Sequence, residues 1–390
     1  MLGIFVIVTA EILPIGLLIP IAASFDISDG TAGLTMTLPG FVAAVAAPVM
    51  TVSTARVDRR VMLCLWMGVL AASNFLCAFA TDFWMILAAR LMVGLVIGGF
   101  WSIGAGLADR LVHERDVPRA TSVIFVAVPL GSVLGVPAGT FIADVLAWRW
   151  AFVVLGVSTM GVLLALSTLL PSLPAVHVTG LHALRALARH RTVRVGLIAT
   201  FLIVLAHFGT YTYVTPFLEQ VTRIDLGVIS SLLLAYGVAG IVGNFLVGST
   251  MRRHLRETFG AAACLIAGAT LLLPLGGHWV WGAILLLVIW GVAYGAVPAC
   301  SQTWVARCAP NETEAATVLF TSVFQATIGI GALLGGKLVD ATSVVVIMLC
   351  GAVLAAVGAF VVLVLGRYGN AAASRRHCSR GNSLGSAVRT

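Results

Sequence analysis

The sequence predicts an all-α membrane protein whose twelve transmembrane helices form two pseudo-symmetric halves of six. Its 390 residues are 60% hydrophobic and only 10% charged, and the mean hydropathy is +1.07. Soluble domains carry about 25% charged residues and must cover their surface with polar groups. This composition therefore excludes a soluble enzyme, a DNA-binding module and a disordered chain. The apolar residues also fall into runs of about 20, the length needed to cross a bilayer.

Short polar clusters separate the apolar runs and set the boundaries of the predicted spans. The spans cover residues 1–22, 33–52, 61–80, 83–107, 119–143, 149–170, 194–217, 227–249, 259–276, 279–302, 314–337 and 343–366. The resulting units are an amino-terminal half (1–170), a cytoplasmic connector (171–193), a carboxy-terminal half (194–366) and a disordered basic tail (367–390).

Basic residues are concentrated on one side of the predicted membrane. With the N-terminus inside, only Arg149, Arg223 and Lys337 of the 23 basic residues fall outside, and only Arg90 lies within a span. Positive charge marks the cytoplasmic side, so we expect a multi-pass protein of the bacterial inner membrane with both termini cytoplasmic. The seven cysteines form no C-x-x-C pair, which predicts unpaired thiols and neither a disulfide framework nor a metal site.

A repeat supports the two-half architecture. The loop between the second and third helices of each half carries clustered arginines, at 56–60 and at 252–256. A duplicated six-helix unit is typical of secondary transporters, which bind substrate between the halves near the membrane midplane.

Two ionisable residues lie inside predicted spans. Glu11 is about halfway along the first span, where a charge costs about 2.5–3.5 kcal/mol. It is either a proton carrier or a neutral residue that hydrogen-bonds a neighbouring helix. Arg90, in the fourth span, stays protonated. It is either a counter-charge that tunes the proton site or a side chain that extends to the outer interface.

Aromatic rings with polar tips, together with two amides, are the candidates for a substrate cavity. They are Trp101, His207, Tyr211, Trp290, Tyr294, Gln325 and Asn244. Two of the aromatic pairs, in the seventh and tenth spans, are spaced four residues apart and so share a helix face. Such groups suit a mixed apolar and polar ligand site, although they also suit helix packing.

Small residues recur every four positions in the fifth span, at Gly131, Gly135 and Gly139, with Pro137 among them. This spacing lets helices approach closely, and the proline removes a backbone donor and permits a bend. Packing is one interpretation, and bending or sealing during a conformational change is the other.

These residues resemble the major facilitator superfamily, in particular its twelve-helix drug:proton antiporter branch, over nearly the whole chain. The run 11–14 resembles the first-helix signature of the branch. Arg90, Gly94 and Gly98 match its fourth-helix motif, with a valine in place of the usual glutamine. The run 131–140 is similar to its fifth-helix antiporter motif, with the proline shifted by one position.

The loop after the second helix departs most from the family pattern. It keeps Arg56, Arg59 and Arg60, but Ala55 stands at the position of the usual acid and Asp58 at that of a glycine. The resemblance implies that the charged residues of this loop take part in the conformational change. The usual aspartate-centred charge relay lacks its acid here.

Within the branch, Asp58-Arg59-Arg60 and the runs 98–101 and 117–125 look like bacterial purine ribonucleoside efflux and sugar-efflux-like transporters. The resemblance implies a monomeric, non-enzymatic transporter that exports a small organic solute, first choice a purine ribonucleoside, by antiport. The proton gradient supplies the energy, with no cofactor, metal or nucleic acid. A multidrug or sugar efflux pump and a uniporter are alternatives, and a non-transporting membrane sensor of the same fold is an alternative from another class.

Overall fold

The computed structural model describes residues 1–54, 57–104, 127–173, 187–308 and 313–366, and its regular structure in these ranges is helical. The helices are α1 (Leu2–Gly16), α2 (Leu18–Phe25), α3 (Asp29–Ala32), α4 (Leu34–Ser53), α5 (Arg59–Ala78), α6 (Phe83–Gly104), α7 (Ala127–Val145), α8 (Trp148–Leu169), α9 (Arg191–Tyr211), α10 (Val214–Phe217), α11 (Leu226–Gly276), α12 (Val280–Cys308), α13 (Thr313–Ala341) and α14 (Val344–Phe360). Short π-helical turns, Leu218–Thr222 and Val361–Leu365, extend α10 and α14.

The described helices account for the twelve predicted spans. Ten helical segments are long and apolar enough to cross a membrane. The bent pair α1–α2 and the apolar part of α7, Leu130–Val145, account for the other two predicted spans. The predicted all-helical, multi-span architecture is therefore confirmed.

The first span differs in shape from the prediction, whereas the eighth and ninth are separate as predicted. The first span is bent by 63° between α1 and α2. Pro14, just before the bend, has no amide hydrogen to continue the helical hydrogen-bond pattern. The amide of Leu17 donates to the carbonyl of Pro14. The eighth and ninth spans are the two apolar segments of α11, Gly227–Gly248 and Arg253–Gly276, and they meet near His254, whose backbone angles are not helical (φ −127°, ψ 44°). The arginine cluster at 252–256 lies at this break between the two spans.

Two hydrophobic cores hold the molecule together, and the halves also meet through close backbone contacts. One core joins α1, α5, α6 and α8, and the other joins α9 and α11–α14 with Ile15, Met36 and Val136 of the amino-terminal half. A Cβ added to Gly40 of α4 would lie 2.6 Å from the amide nitrogen of Gly329 in α13. One added to Gly237 of α11 would lie 2.8 Å from the Cα of Val133 in α7. Only residues without a side chain allow helices to approach this closely.

Polar contacts also join the halves at one end of the molecule. The Asp340 carboxylate accepts hydrogen bonds from the Ser28 hydroxyl (2.7 Å) and the Gly30 amide (3.0 Å). The Gln220 amide donates to the Asp29 carboxylate (3.3 Å). We call these five residues the Asp340 latch. They hold the two halves together at this end.

At the opposite end, the loop that departs from the family motif is tied to its own half. Asp58 caps α5 by accepting from the Arg60 amide (2.8 Å). It also accepts from the Ser172 hydroxyl and the Leu173 amide, and the Arg59 amide donates to the Leu173 carbonyl. The hydrogen bond from Ser172, helped by the backbone amides, lowers the pKa of Asp58. Asp58 therefore serves here as a helix cap that links α5 to the end of α8.

Candidate functional site

A buried carboxyl group connects the two halves at the centre of the molecule. Glu11 on α1 is only 9% exposed, and Gln325 on α13 only 5%. The Gln325 Nε2 donates a hydrogen bond to Glu11 Oε1 at 2.8 Å. The contact joins helices that lie 314 residues apart in the chain, so any movement of one half against the other must change it.

Arg90 lies beside Glu11 but directs its hydrogen bonds to backbone carbonyls. Its side chain is fully buried, which excludes a side chain that extends to the interface. Nη1 donates to the carbonyl of Ala10 and Nη2 to that of Glu11, both at 2.7 Å, and Nε donates to the carbonyl of Thr35 at 2.8 Å. Its charge acts on the Glu11 carboxyl through space.

Two prolines explain why these carbonyls are available. In an α-helix each carbonyl accepts from the amide four residues later, and proline has no amide hydrogen. Pro14 therefore leaves the carbonyl of Ala10 without its helical donor, and Pro39 does the same to the carbonyl of Thr35. The Arg90 guanidinium supplies both missing donors and so fastens α1 and α4 to α6.

Five aromatic side chains from α9, α11 and α12 gather next to this carboxyl, and we call them the aromatic cluster. They are His207, Tyr211, Tyr236, Trp290 and Tyr294. Four rings form a stack, with centroid distances of 3.3 Å between Tyr294 and His207, 5.0 Å between His207 and Tyr211, and 4.6 Å between Tyr211 and Tyr236. The ring of Trp290 stands at 78–86° to three of these rings. Tyr294 is also close enough to Glu11 for an electrostatic interaction.

The protonation of His207 follows from its partner. The Trp290 indole N–H donates to His207 Nδ1 at 3.1 Å. Because indole can only donate, Nδ1 carries no proton, and the neutral ring keeps its proton on Nε2. His207 is held as a hydrogen-bond donor and does not act as a proton carrier in this arrangement.

Tyr236 is a member of the cluster that sequence reasoning missed. Its side chain is 7% exposed, and its hydroxyl has no hydrogen-bond partner among the described residues. The available signal was a lone tyrosine in an apolar span, immediately before Gly237, where α11 crosses α7. That signal does not distinguish a cavity residue from a packing residue.

The other predicted site residues lie elsewhere. Trp101 on α6 contacts Phe100 edge-on at 6.4 Å and packs against the core of the amino-terminal half. Asn244 on α11 is half-buried. The described ring contacts of the aromatic cluster do not include Trp101, and Arg56 lies outside the described residues.

The glycines of α7 pack against α1. A Cβ on Gly131 would lie 3.0 Å from that of Val8, and one on Gly135 would lie 3.2 Å from the Cα of Thr9. Gly139 is covered by the side chain of Leu13. In the described state this stripe of α7 therefore serves as a packing surface for α1, and α7 continues as a helix through Pro137.

Comparisons with known proteins agree with this architecture. The family model described as Major Facilitator Superfamily matches residues 1–325. The chain belongs to the major facilitator superfamily. The expected family and fold are thus confirmed, and the chain is a multi-pass membrane protein.

The relatives that match at more than 30% identity include the following two. The transcription regulatory protein OpdE of Pseudomonas aeruginosa is 31% identical over 93% of this chain and 91% of its own length. The purine ribonucleoside efflux pump NepI of Salmonella typhimurium is 33% identical over 85% of this chain and 84% of its own.

A solved structure shares the fold. It is a bacterial homolog of the human lysosomal transporter Spinster in an inward-facing and occupied conformation. Its TM-score is 0.73 at 16% identity, over 94% of this chain and 95% of that one.

Proposed function

We propose that this chain exports a small organic solute, first choice a purine ribonucleoside, in exchange for protons across the bacterial inner membrane. The observation that carries the proposal is the buried Glu11 carboxyl, hydrogen-bonded across the halves to Gln325 and adjoining the aromatic cluster. The 33% identity to a purine ribonucleoside efflux pump supports the choice of substrate.

The surroundings of Glu11 favour a group that exchanges protons. Burial opposes the charged carboxylate. The hydrogen bond from Gln325 and the positive charge of Arg90 favour it. We propose that these opposing effects let the carboxyl both bind and release a proton, as a proton-coupling residue requires. An exchanger also needs proton and solute to exclude each other, and the electrostatic interaction between Glu11 and Tyr294 of the cluster supports a shared place for both.

The aromatic cluster favours a flat substrate. Stacking of a nucleobase on an aromatic ring contributes about 1–3 kcal/mol. The rings of His207 and Tyr294 are nearly parallel, at 7°, and His207 adds an N–H donor. A nucleoside adds the stacking of its base to the contacts that its sugar makes, which places a nucleoside ahead of a sugar alone. An aromatic drug would gain comparable stacking and remains an alternative substrate.

The distribution of charge supports an orientation. With the arginine-rich end on the cytoplasmic side, the Asp340 latch faces outward. The described state then has its outer end closed, as expected of a transporter ready to receive solute from the cytoplasm.

Inside-out membrane vesicles that contain the protein test this function. We expect them to accumulate labelled inosine or adenosine when their interior is made acidic, and to stop when the gradient is collapsed. Vesicles without the protein provide the baseline. Accumulation that continues after the pH gradient is collapsed would contradict proton coupling. Accumulation of drugs but not of nucleosides would show that the proposed substrate is wrong.

A regulatory role is the second candidate, because a relative covering 93% of this chain is named a transcription regulatory protein. A sensor of this fold would bind solute without moving it. Saturable nucleoside binding to the purified protein, combined with no flux in reconstituted vesicles, would favour the sensor.

A further inference from the structure

We propose that Gln325 converts the protonation state of Glu11 into a change in what the site offers to a substrate. With Glu11 ionised, the Gln325 amide presents its oxygen as a hydrogen-bond acceptor. With Glu11 protonated, the amide turns over and presents its NH2 group as a donor. The inference rests on the proposed role of Glu11 as the proton site.

The first half of the switch follows from the observed hydrogen bond. An ionised carboxylate can only accept, so it binds the nitrogen of the amide, and Gln325 Nε2 lies 2.8 Å from Glu11 Oε1. The amide oxygen then points away from Glu11. Both side chains are more than nine-tenths buried, so water competes little for either group.

The second half follows from the chemistry of a neutral acid. Protonated Glu11 gains an O–H donor, and a buried donor without an acceptor costs about 1–3 kcal/mol. The amide oxygen of Gln325 meets that need after half a turn about its terminal torsion. This torsion is broad and roughly two-fold in glutamine, so no backbone movement is needed. The Nε2 group then faces away from Glu11.

The other groups near Glu11 are less able to respond. Arg90, on α6, uses three of its donors on backbone carbonyls. Tyr294, on α12, interacts with Glu11 only through space, and His207, on α9, is fixed by its hydrogen bond from α12. Helix α4 contains no ionisable residue, and α7 contains only Asp144, near its far end.

The consequence is mutual exclusion of proton and substrate. A solute that donates hydrogen bonds, such as an adenine amine or a hypoxanthine N–H, fits the acceptor state. In protein–DNA complexes, glutamine amides form hydrogen bonds with the amine edge of adenine. When Glu11 is protonated, the amide oxygen of Gln325 turns away from the solute. The NH2 group of Gln325 then faces the N–H donor of the solute, and the two cannot form a hydrogen bond. Release of solute is thereby tied to proton uptake, as antiport requires.

Equilibrium binding of two matched nucleosides to the purified protein tests the switch. Adenosine carries the amine donor, and purine riboside lacks it. We expect wild type to prefer adenosine about 5-fold where Glu11 is ionised, since one good hydrogen bond contributes roughly 1 kcal/mol. At low pH the preference should fall below about 3-fold or invert.

Gln325→Met keeps the length of the side chain but removes the amide. We expect it to bind both nucleosides by stacking, with similar affinity and no pH-dependent preference. Gln302→Met, at a half-buried glutamine of α12 outside the proposed site and the Asp340 latch, is the matched control and should behave as wild type. A preference that shifts with pH equally in wild type and Gln325→Met would overturn the switch.

Infrared difference spectra between high and low pH separate this inference from the proposed function, because they need no substrate. Protonation of Glu11 should shift a glutamine side-chain band that is absent from the spectrum of Gln325→Met. Glu11→Gln should remove both the carboxyl and the amide signals. If wild type shows the amide shift but binds no nucleoside, the proposed substrate fails and the switch stands. If nucleosides bind but no amide band responds, the switch fails.

Discussion

Replacing Arg90 by leucine tests whether the guanidinium stands in for backbone donors that two prolines remove. Leucine is uncharged and has no donor, so it leaves the carbonyls of Ala10 and Thr35 without hydrogen-bond donors. A buried carbonyl without a partner costs about 1–3 kcal/mol, so we expect the two together to lower the free energy of unfolding by roughly 2–6 kcal/mol.

A rescue experiment isolates this cause. Replacing both Pro14 and Pro39 by alanine returns the helical amides that bond to the same two carbonyls. In that background Arg90→Leu should cost at least about 2 kcal/mol less than in wild type, because an amide now occupies each carbonyl. The coupling energy of the cycle measures the contribution that arginine and prolines share.

The free energy of unfolding can be followed in detergent micelles with a thiol-reactive dye, since Cys77 and Cys300 are buried in the folded protein. Arg149→Leu is the control, because it removes an arginine that bonds the carbonyl of Ala80 and has no proline to replace. If Arg90→Leu costs the same with and without the prolines, the account of Arg90 as a substitute donor is wrong.

Three other substitutions follow from the contacts between helices. A Ser28→Cys, Asp340→Cys pair should form a disulfide that lowers transport at least about 10-fold until a reductant is added, because the latch must open. Gly329→Val places a side chain against the backbone of α4, where even a Cβ would approach to 2.7 Å. Gly329→Val should therefore lower transport at least about 10-fold as well. Gly268→Val is the control and should not lower transport, because a Cβ at Gly268 has no neighbouring atom within 4 Å. Trp290→Phe leaves its histidine partner without a donor and should lower the free energy of unfolding by about 1–3 kcal/mol, and an unchanged stability would refute that hydrogen bond.

The fold was predictable because the apolar runs have the length of a membrane span. The shapes of individual spans were less accessible. Pro14 marks a weak point in the first span, but nothing in the local sequence gives the size of the bend, 63°. Residues 249–259 contain neither glycine nor proline, so no local signal marks the non-helical backbone at His254 that separates the two segments of α11.

The candidate site was visible in part for a similar reason. Polar residues are rare in apolar spans, which is why Glu11 and His207 stand out in the sequence. Their partners depend on helix packing between distant parts of the chain, and no local pattern joins Glu11 to Gln325. The carbonyls that Arg90 binds could be suspected from the prolines, but only the fold brings them to one guanidinium.

The central claim is that Glu11 couples proton movement to solute movement, and one measurement tests it most directly. Wild type and Glu11→Gln are reconstituted into vesicles and compared in nucleoside exchange without a pH gradient and in accumulation driven by one. We expect Glu11→Gln to retain exchange within about 3-fold, because the rings proposed to stack on the base are intact, and to lose accumulation. Accumulation by Glu11→Gln against a concentration gradient, at the wild-type level, would contradict the account.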